Sequence, residues 1–216
     1  LAVAFLLPVF IKNSDLGNKV LIAKVLGISA ITLELIKPFI WHYGLDFPWI
    51  KLIPIHMCNL STFFIGIFLL TEKRIFFEVS CFWGIGGGIN ALITPDIPKT
   101  FPDPQFILFF TGHGLLIIAI AYACLALKNR PTLSSVKNGI YVSLSILPII
   151  YVVNMLLGPP ANYWYLGTKP IGESILDFFP EPPLHIPLLI IIGAVLFFII
   201  YSPYWIYDKF KRKDVG

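Results

Sequence analysis

Cys58 and His113 are the two side chains in this sequence that together could do covalent chemistry. A thiol attacks a carbonyl carbon only as the thiolate, and an imidazole is the usual base that takes its proton near neutral pH. Glu34, His56, Asn59, Asn90, Asp96 and Asn154 are the other polar groups set in apolar surroundings. Two arrangements fit them. In one, His113 activates Cys58 while Asn90 or Asn154 stabilises an oxyanion. In the other, His56 and His113 work with Glu34 or Asp96, and Cys58 merely packs. Two helical steps turn a side chain by about 200°, so a continuous helix here puts His56 on one face with Asn59 and Cys58 on another. Two histidines and a carboxylate could hold zinc, but no HExxH-like spacing occurs and no metal is expected. Gly84, Gly86, Gly87 and Gly88 lack the Lys of a phosphate loop. They read as a close helix contact, and no cofactor is expected. Cys81 and Cys124 read as packing thiols, and three cysteines cannot form a complete disulfide framework.

The elements that position these groups follow from composition. The chain has 216 residues, 57% of them hydrophobic and only 13% charged, with a mean hydropathy of +0.82. Soluble domains carry about a quarter charged residues. A water-soluble globule, a disordered chain and a nucleic-acid binder are therefore all excluded, and an all-α membrane bundle is expected over residues 1–216. A crossing helix needs about 20 mostly apolar residues, which Val20–Trp41, Leu52–Thr71, Ile75–Thr94, Phe106–Leu127, Gly139–Gly158 and His185–Tyr207 supply. Leu1–Ile11 is also apolar and counts as the end of a first span, giving about seven. Lys12, Lys19, Lys73, Arg74, Lys128, Arg130, Lys137, Lys209, Lys211, Arg212 and Lys213 fall on one set of connections, against Lys51, Lys99 and Lys169 on the other. The basic set is cytoplasmic by the positive-inside rule, which puts the N-terminus outside and the C-terminus inside.

With that orientation the polar groups of five spans fall roughly 6–11 Å below the outer boundary, at 1.5 Å per residue. Ionisable groups in a membrane are costly and mark working sites, so a common depth points to one outward-facing cavity. The connection 159–184 holds six prolines and the run Tyr163–Trp164–Tyr165. A loop of that length is commonly a lid or a binding loop.

The segments PIHMCNLS at 54–61, GIGGGINALITPD at 84–96, FFTGHG at 109–114 and NYWYLGTKP at 162–170, with Ser174 and FPEPP before the last span, resemble the bacterial YwaF-like integral membrane proteins. That group is classed with eukaryotic transmembrane protein 164. The resemblance implies a bacterial plasma-membrane protein, and the orientation read from the basic residues puts its site on the extracytoplasmic side. It further implies an acyltransferase that moves fatty acyl chains between phospholipids through a cysteine acyl-enzyme, helped by a histidine. A related membrane bundle hydrolyses fatty acid esters with a Thr and a His. Carried over, the histidine is His113 and the nucleophile is Cys58. In the eukaryotic pattern the cysteine directly precedes the span-three histidine, whereas Ile55 stands there and the thiol follows His56 by two. The expected function is lipid acyl transfer or lipid ester hydrolysis, with membrane phospholipids or acyl lipids as partners. His56 and Asp96 would orient the site, Lys169 would hold a phosphate or carboxylate headgroup, and Glu34, Asn59, Asn162 and Tyr165 would line it. The alternative is a transporter or binding protein that captures a small solute or lipid headgroup in the same cavity.

Overall fold

The computed structural model describes residues 15–95, 97, 99–169 and 178–213. Leu1–Ile11, Asp96 and Ser174, to which the sequence assigns roles, lie outside the described residues, as does the 170–177 part of the long connection. Among the described residues the fold is all-α. Its helices are α1 (Leu16–Leu45), α2 (Met57–Thr71), α3 (Arg74–Ile93), α4 (Pro104–Leu125), α5 (Leu133–Leu157) and α6 (Ile186–Lys213). Four of them, α3, α4, α5 and residues Ile186–Lys211 of α6, are long and apolar enough to cross a membrane.

Local chemistry sets the helix starts. Asp15 caps α1 by accepting from Asn18 N at 2.8 Å. Asp103 accepts from Gln105 N at 2.8 Å with Pro104 in the first turn of α4, where a missing N–H costs nothing. Thr132 and Ser135 cap one another reciprocally at α5.

Two elements depart from regularity, and both matter below. The span expected over Leu52–Thr71 begins its helix only at Met57, so α2 has 15 residues and rises about 22 Å. The cause is Pro54, which lacks an N–H and disfavours helical geometry in the residue before it. Upstream, Trp49–Lys51 makes one tight turn and His56 is the extended residue that opens α2. His56 is therefore not on a helix face, and the argument that separates it from Cys58 by helical rotation does not hold. The second departure is a π-helical turn over Gly84–Gly88 inside α3. Its glycines are close contacts, as expected. A Cβ on Gly84 would collide with Ile120 Cδ1, and one on Gly86 would stand 2.8 Å from Leu196 Cδ2.

α3 is the axis of the bundle. Its Phe77 and Cys81 join Ala23, Ile65, Phe68, Leu69, Leu116 and Ala119 in a core with α1, α2 and α4. Its Val79, Phe82 and Trp83 join Val136, Ile150, Tyr163, Trp164 and Phe197 in a second core with α5, α6 and the long connection. α1 and α2 meet through Gly27 and Gly66, where a Cβ on either would lie 3.0 Å from the other's carbonyl oxygen.

Candidate functional site

α1 carries Glu34 and Lys37 one turn apart toward α2 and α4. Glu34 is 1% exposed, and both of its carboxylate oxygens are engaged. Oε1 accepts from Lys37 Nζ at 2.6 Å, and Oε2 accepts from Asn59 Nδ2 at 2.6 Å. α4 closes over the pair with Gly112, where a Cβ would stand 3.6 Å from Lys37 Nζ and 4.0 Å from Glu34 Oε1.

His113 is the next residue of α4. Its Nδ1 lies 2.9 Å from the carbonyl oxygen of Phe109, one turn back, and the two rings are 4.3 Å apart. A carbonyl only accepts, so Nδ1 of the neutral ring carries the proton and Nε2 keeps the lone pair. Cys58 lies in the first turn of α2, with Sγ 3.4 Å from where a Gly87 Cβ would be. Its carbonyl accepts from Thr62 Oγ1 at 2.9 Å. Asn59, the residue after Cys58, is bonded to Glu34, and Gly112, the residue before His113, faces the same ion pair. Among the described residues no hydrogen bond joins the Cys58 thiol to either imidazole.

The long connection enters the site as a wedge. Tyr163 (1% exposed), Trp164 and Leu166 are buried in the second core. The Tyr163 hydroxyl donates to Ile50 O at 2.9 Å and accepts from Ile53 N at 3.1 Å, while Trp164 Nε1 donates to Ile55 O at 2.8 Å. Burial pushes the Tyr163 phenol above its ordinary range, against the opposing pull of the Ile53 N–H, so it remains a donor. His56 packs its ring against Tyr163 at 4.9 Å and Tyr165 at 6.1 Å. Trp164 and Tyr165 have φ of 59° and 54°, left-handed values that bulky side chains adopt at a cost of about 1–2 kcal/mol each.

The two asparagines near this turn hold it in place. Asn154 donates from Nδ2 to Tyr163 O at 2.8 Å and accepts at Oδ1 from Tyr163 N at 2.7 Å. Asn162 accepts at Oδ1 from Gly167 N and Thr168 N and donates to the Thr168 carbonyl and hydroxyl. Lys169 Nζ donates to Phe179 O at 2.8 Å and pairs with Glu181 at 2.9 Å. Asn90 is exposed on the last turn of α3, where its carbonyl accepts from Thr94. Glu34, Cys58, Asn59 and His113 thus lie where α1, α2 and α4 meet, with His56 against Tyr163 and Tyr165; Asn154, Asn162 and Lys169 are bonded to the long connection, and Asn90 is exposed on α3.

Residues to which the sequence gives no role in the site complete the neighbourhood. Lys37 stands three residues from Glu34 in an apolar helix, a spacing that signals a pair. Gly87 and Gly112 matter for the room that they leave. His185 is fully buried just before α6, with Nε2 2.8 Å from Tyr165 O, so it holds that carbonyl of the turn.

No solved structure matches the chain. An uncharacterized protein of Treponema pallidum (strain Nichols) is 24% identical over 151 residues, which cover 69% of this chain and 62% of that protein's length. The profile of the TMEM164 family matches residues 1–201, and the chain belongs to that family.

Proposed function

We propose that the protein is a membrane-embedded lipid acyltransferase or lipid ester hydrolase working through Cys58 and His113, in a seven-span bundle whose site opens toward the extracytoplasmic side of a bacterial plasma membrane. The observation that carries this reading is the state of His113. Its Nδ1–H is spent on Phe109 O, which leaves Nε2 as the base, on the helix that also packs beside the Glu34–Lys37 pair and near Cys58. In the reaction Nε2 takes the thiol proton and the thiolate attacks the ester carbonyl carbon. The carbon–oxygen bond to the alcohol then breaks, and the imidazolium returns the proton to the departing alkoxide. The thioester is next attacked by the hydroxyl of an acceptor lipid or by water, whose proton passes to His113 and back to the Cys58 sulfur. A thiol and an imidazole that do not yet touch are usual before substrate binds, since such contacts often tighten only in the complex. The absence of that contact also favours the second reading, a protein that only captures a solute or lipid headgroup.

The test is intact-protein mass spectrometry in phospholipid nanodiscs after exposure to a lipid-like acyl-trapping probe. Wild type, Cys58→Ala and His113→Ala are compared. An adduct lost in both variants is the expected result. An unmodified Cys58, under conditions that label a control thiol acyltransferase, would move the conclusion to binding or transport.

A further inference from the structure

Cys81 and Cys124, read from the sequence as packing thiols, do pack, and they also meet. Cys81 is fully buried in the first core, and Cys124 of α4 packs against that core from a more open position. The two thiols are hydrogen-bonded, and Cys124 is also bonded to the Tyr204 hydroxyl of α6. Side chains from α3 and α6 therefore converge on one sulfur of α4. Tyr204 is itself held in place, because the Arg130 guanidinium lies 5.7 Å from its ring and pairs with Asp208 one turn on. Cys58 stands apart, beside Gly87, six residues and about 9 Å further along α3.

Paired thiols serve a metal or a redox step. A structural zinc centre takes four ligands, and among the described residues no group of three or more His, Cys, Asp and Glu side chains could hold a metal. The asymmetry of the pair favours the redox step. Oxidation begins at the thiol that is more accessible and better stabilised as the thiolate. Cys124 is the more accessible of the two, and the Tyr204 O–H and the Cys81 S–H can both donate to its sulfur as it ionises. Cys81, buried and already in contact, is placed to resolve what forms there. Thiols that hydrogen-bond point toward one another, which is the condition that a disulfide sets on its two side chains.

We propose that Cys81 and Cys124 are a redox pair, which a small peroxide closes to a disulfide between α3 and α4. With hydrogen peroxide, the Cys124 thiolate attacks one oxygen and the O–O bond breaks. The departing hydroxide takes up the proton that Cys124 released and becomes water, leaving a sulfenic acid. The Cys81 sulfur then attacks the Cys124 sulfur, the S–O bond breaks, and the hydroxide leaves as water with the Cys81 proton. Two thiols and one peroxide give one disulfide and two waters, and thiol–disulfide exchange with dithiothreitol reverses the bond. The proposal goes beyond the lipid-ester reading and is independent of it, since neither Cys58 nor His113 takes part.

The experiment maps thiols in the full chain held in nanodiscs. Samples are treated with hydrogen peroxide, then with catalase, and are unfolded and alkylated with N-ethylmaleimide for peptide mass spectrometry. In the untreated chain all three cysteines should be alkylated. After peroxide, Cys81 and Cys124 should escape alkylation and appear in one cross-linked peptide that dithiothreitol opens. Cys58→Ala should form the same cross-link, which keeps this outcome separate from that of the Cys58 adduct. Cys81→Ala removes the resolving thiol, so dimedone should capture a sulfenic acid at Cys124. Tyr204→Phe keeps the ring beside Arg130 and removes the hydroxyl. It should slow cross-linking about tenfold, the worth of one hydrogen bond to a charged group. Wild type carries the main result, so no variant's folding decides it. Alkylation of both Cys81 and Cys124 after peroxide would overturn the pair, as would a disulfide from either one to Cys58. An unchanged rate in Tyr204→Phe would overturn the part assigned to the phenol.

Discussion

Replacing Lys37 by Met tests whether the pair with Glu34 is desolvated. The Glu34 side chain is 2% exposed and that of Lys37 is 18% exposed, so the two halves are not equivalent. Lys37→Met strands a carboxylate that has only Asn59 left, and removing one partner of a buried pair costs about 3–5 kcal/mol. The upper end applies here because the stranded charge cannot reach solvent. Glu34→Leu strands an ammonium on a long stem with some access to the surface, so about 3 kcal/mol is expected. The double variant Glu34→Leu/Lys37→Met leaves no buried charge and only the Asn59 amide without its acceptor, a loss of about 1–3 kcal/mol. The double variant should therefore be more stable than Lys37→Met alone, with a coupling of at least about 3 kcal/mol. Reversible unfolding in bicelles by sodium dodecyl sulfate, followed by tryptophan fluorescence, measures all four corners of the cycle. Costs that add to within about 0.5 kcal/mol would mean that the two groups do not interact. The pair would then be solvated, and the desolvation argument would fail with it.

Three further outcomes follow from the geometry. Asn154→Leu removes both hydrogen bonds to the main chain of Tyr163, leaving its buried N–H unpaired and its carbonyl with only the 3.4 Å bond from Leu166 N. A loss of about 2–4 kcal/mol is expected, with faster amide exchange confined at first to residues 162–166. Gly87→Ala sets a methyl 3.4 Å from the Cys58 sulfur, so alkylation of that thiol by a membrane-permeant maleimide should slow at little cost in stability. Gly114→Ala, with nothing within 4 Å of its new methyl, should leave the labelling rate unchanged. Glu78→Ala strips the acceptor from Arg74, Ser135 and Asn138 at the opposite end of α3, and a thermal scan should record a loss of about 3–5 kcal/mol without any change in Cys58 labelling.

Much of the fold was legible because a membrane chain writes its helices as long apolar runs. Ile75–Thr94 and Phe106–Leu127 fall within two residues of α3 and α4, and His185 within one residue of the start of α6, which runs on past Tyr207 to Lys213. Capping chemistry moved the ends outward where polar residues continue the helix, as at Thr132–Ser135, which starts α5 before Gly139. The span over Leu52–Thr71 was misjudged because hydropathy counts Ile53 and Ile55 as apolar and does not register that Pro54 between them donates nothing. The π turn at Gly84–Gly88 was likewise invisible to composition, since four glycines signal close contact without stating which hydrogen-bond register the backbone takes. For the site, ionisable residues in apolar runs identified Glu34, His56 and His113. Asn154 was named as a polar group in an apolar run and Asn162 as part of the 162–170 motif, although a side-chain amide satisfies a main-chain turn as readily as it binds a ligand. Only the distance to Tyr163 and Thr168 separates those uses.

The break at Pro54 and the aromatic run at 163–165 are two halves of one device. Unwinding residues 48–56 exposes main-chain groups that a continuous helix would have paired internally, and irregular backbone is tolerated at membrane depth only where protein or an aqueous cavity satisfies it. Ile50 O and Ile53 N are met by the single hydroxyl of Tyr163, and Ile55 O by the indole of Trp164. A hydroxyl that donates and accepts together with an indole that only donates matches that set of two acceptors and one donor. Asn154 and His185 in turn fix the turn's own carbonyls at Tyr163 and Tyr165, which is how two bulky residues are held in the left-handed region. The result is that α2 begins beside α3, with Cys58 in its first turn packed against the first core and close to Gly87 of the π turn. Each of these features is unfavourable alone: a proline in an apolar run, four glycines in a helix, two aromatics at positive φ. Their convergence around one thiol, two imidazoles and one buried ion pair is the physical argument for the proposed location of the site.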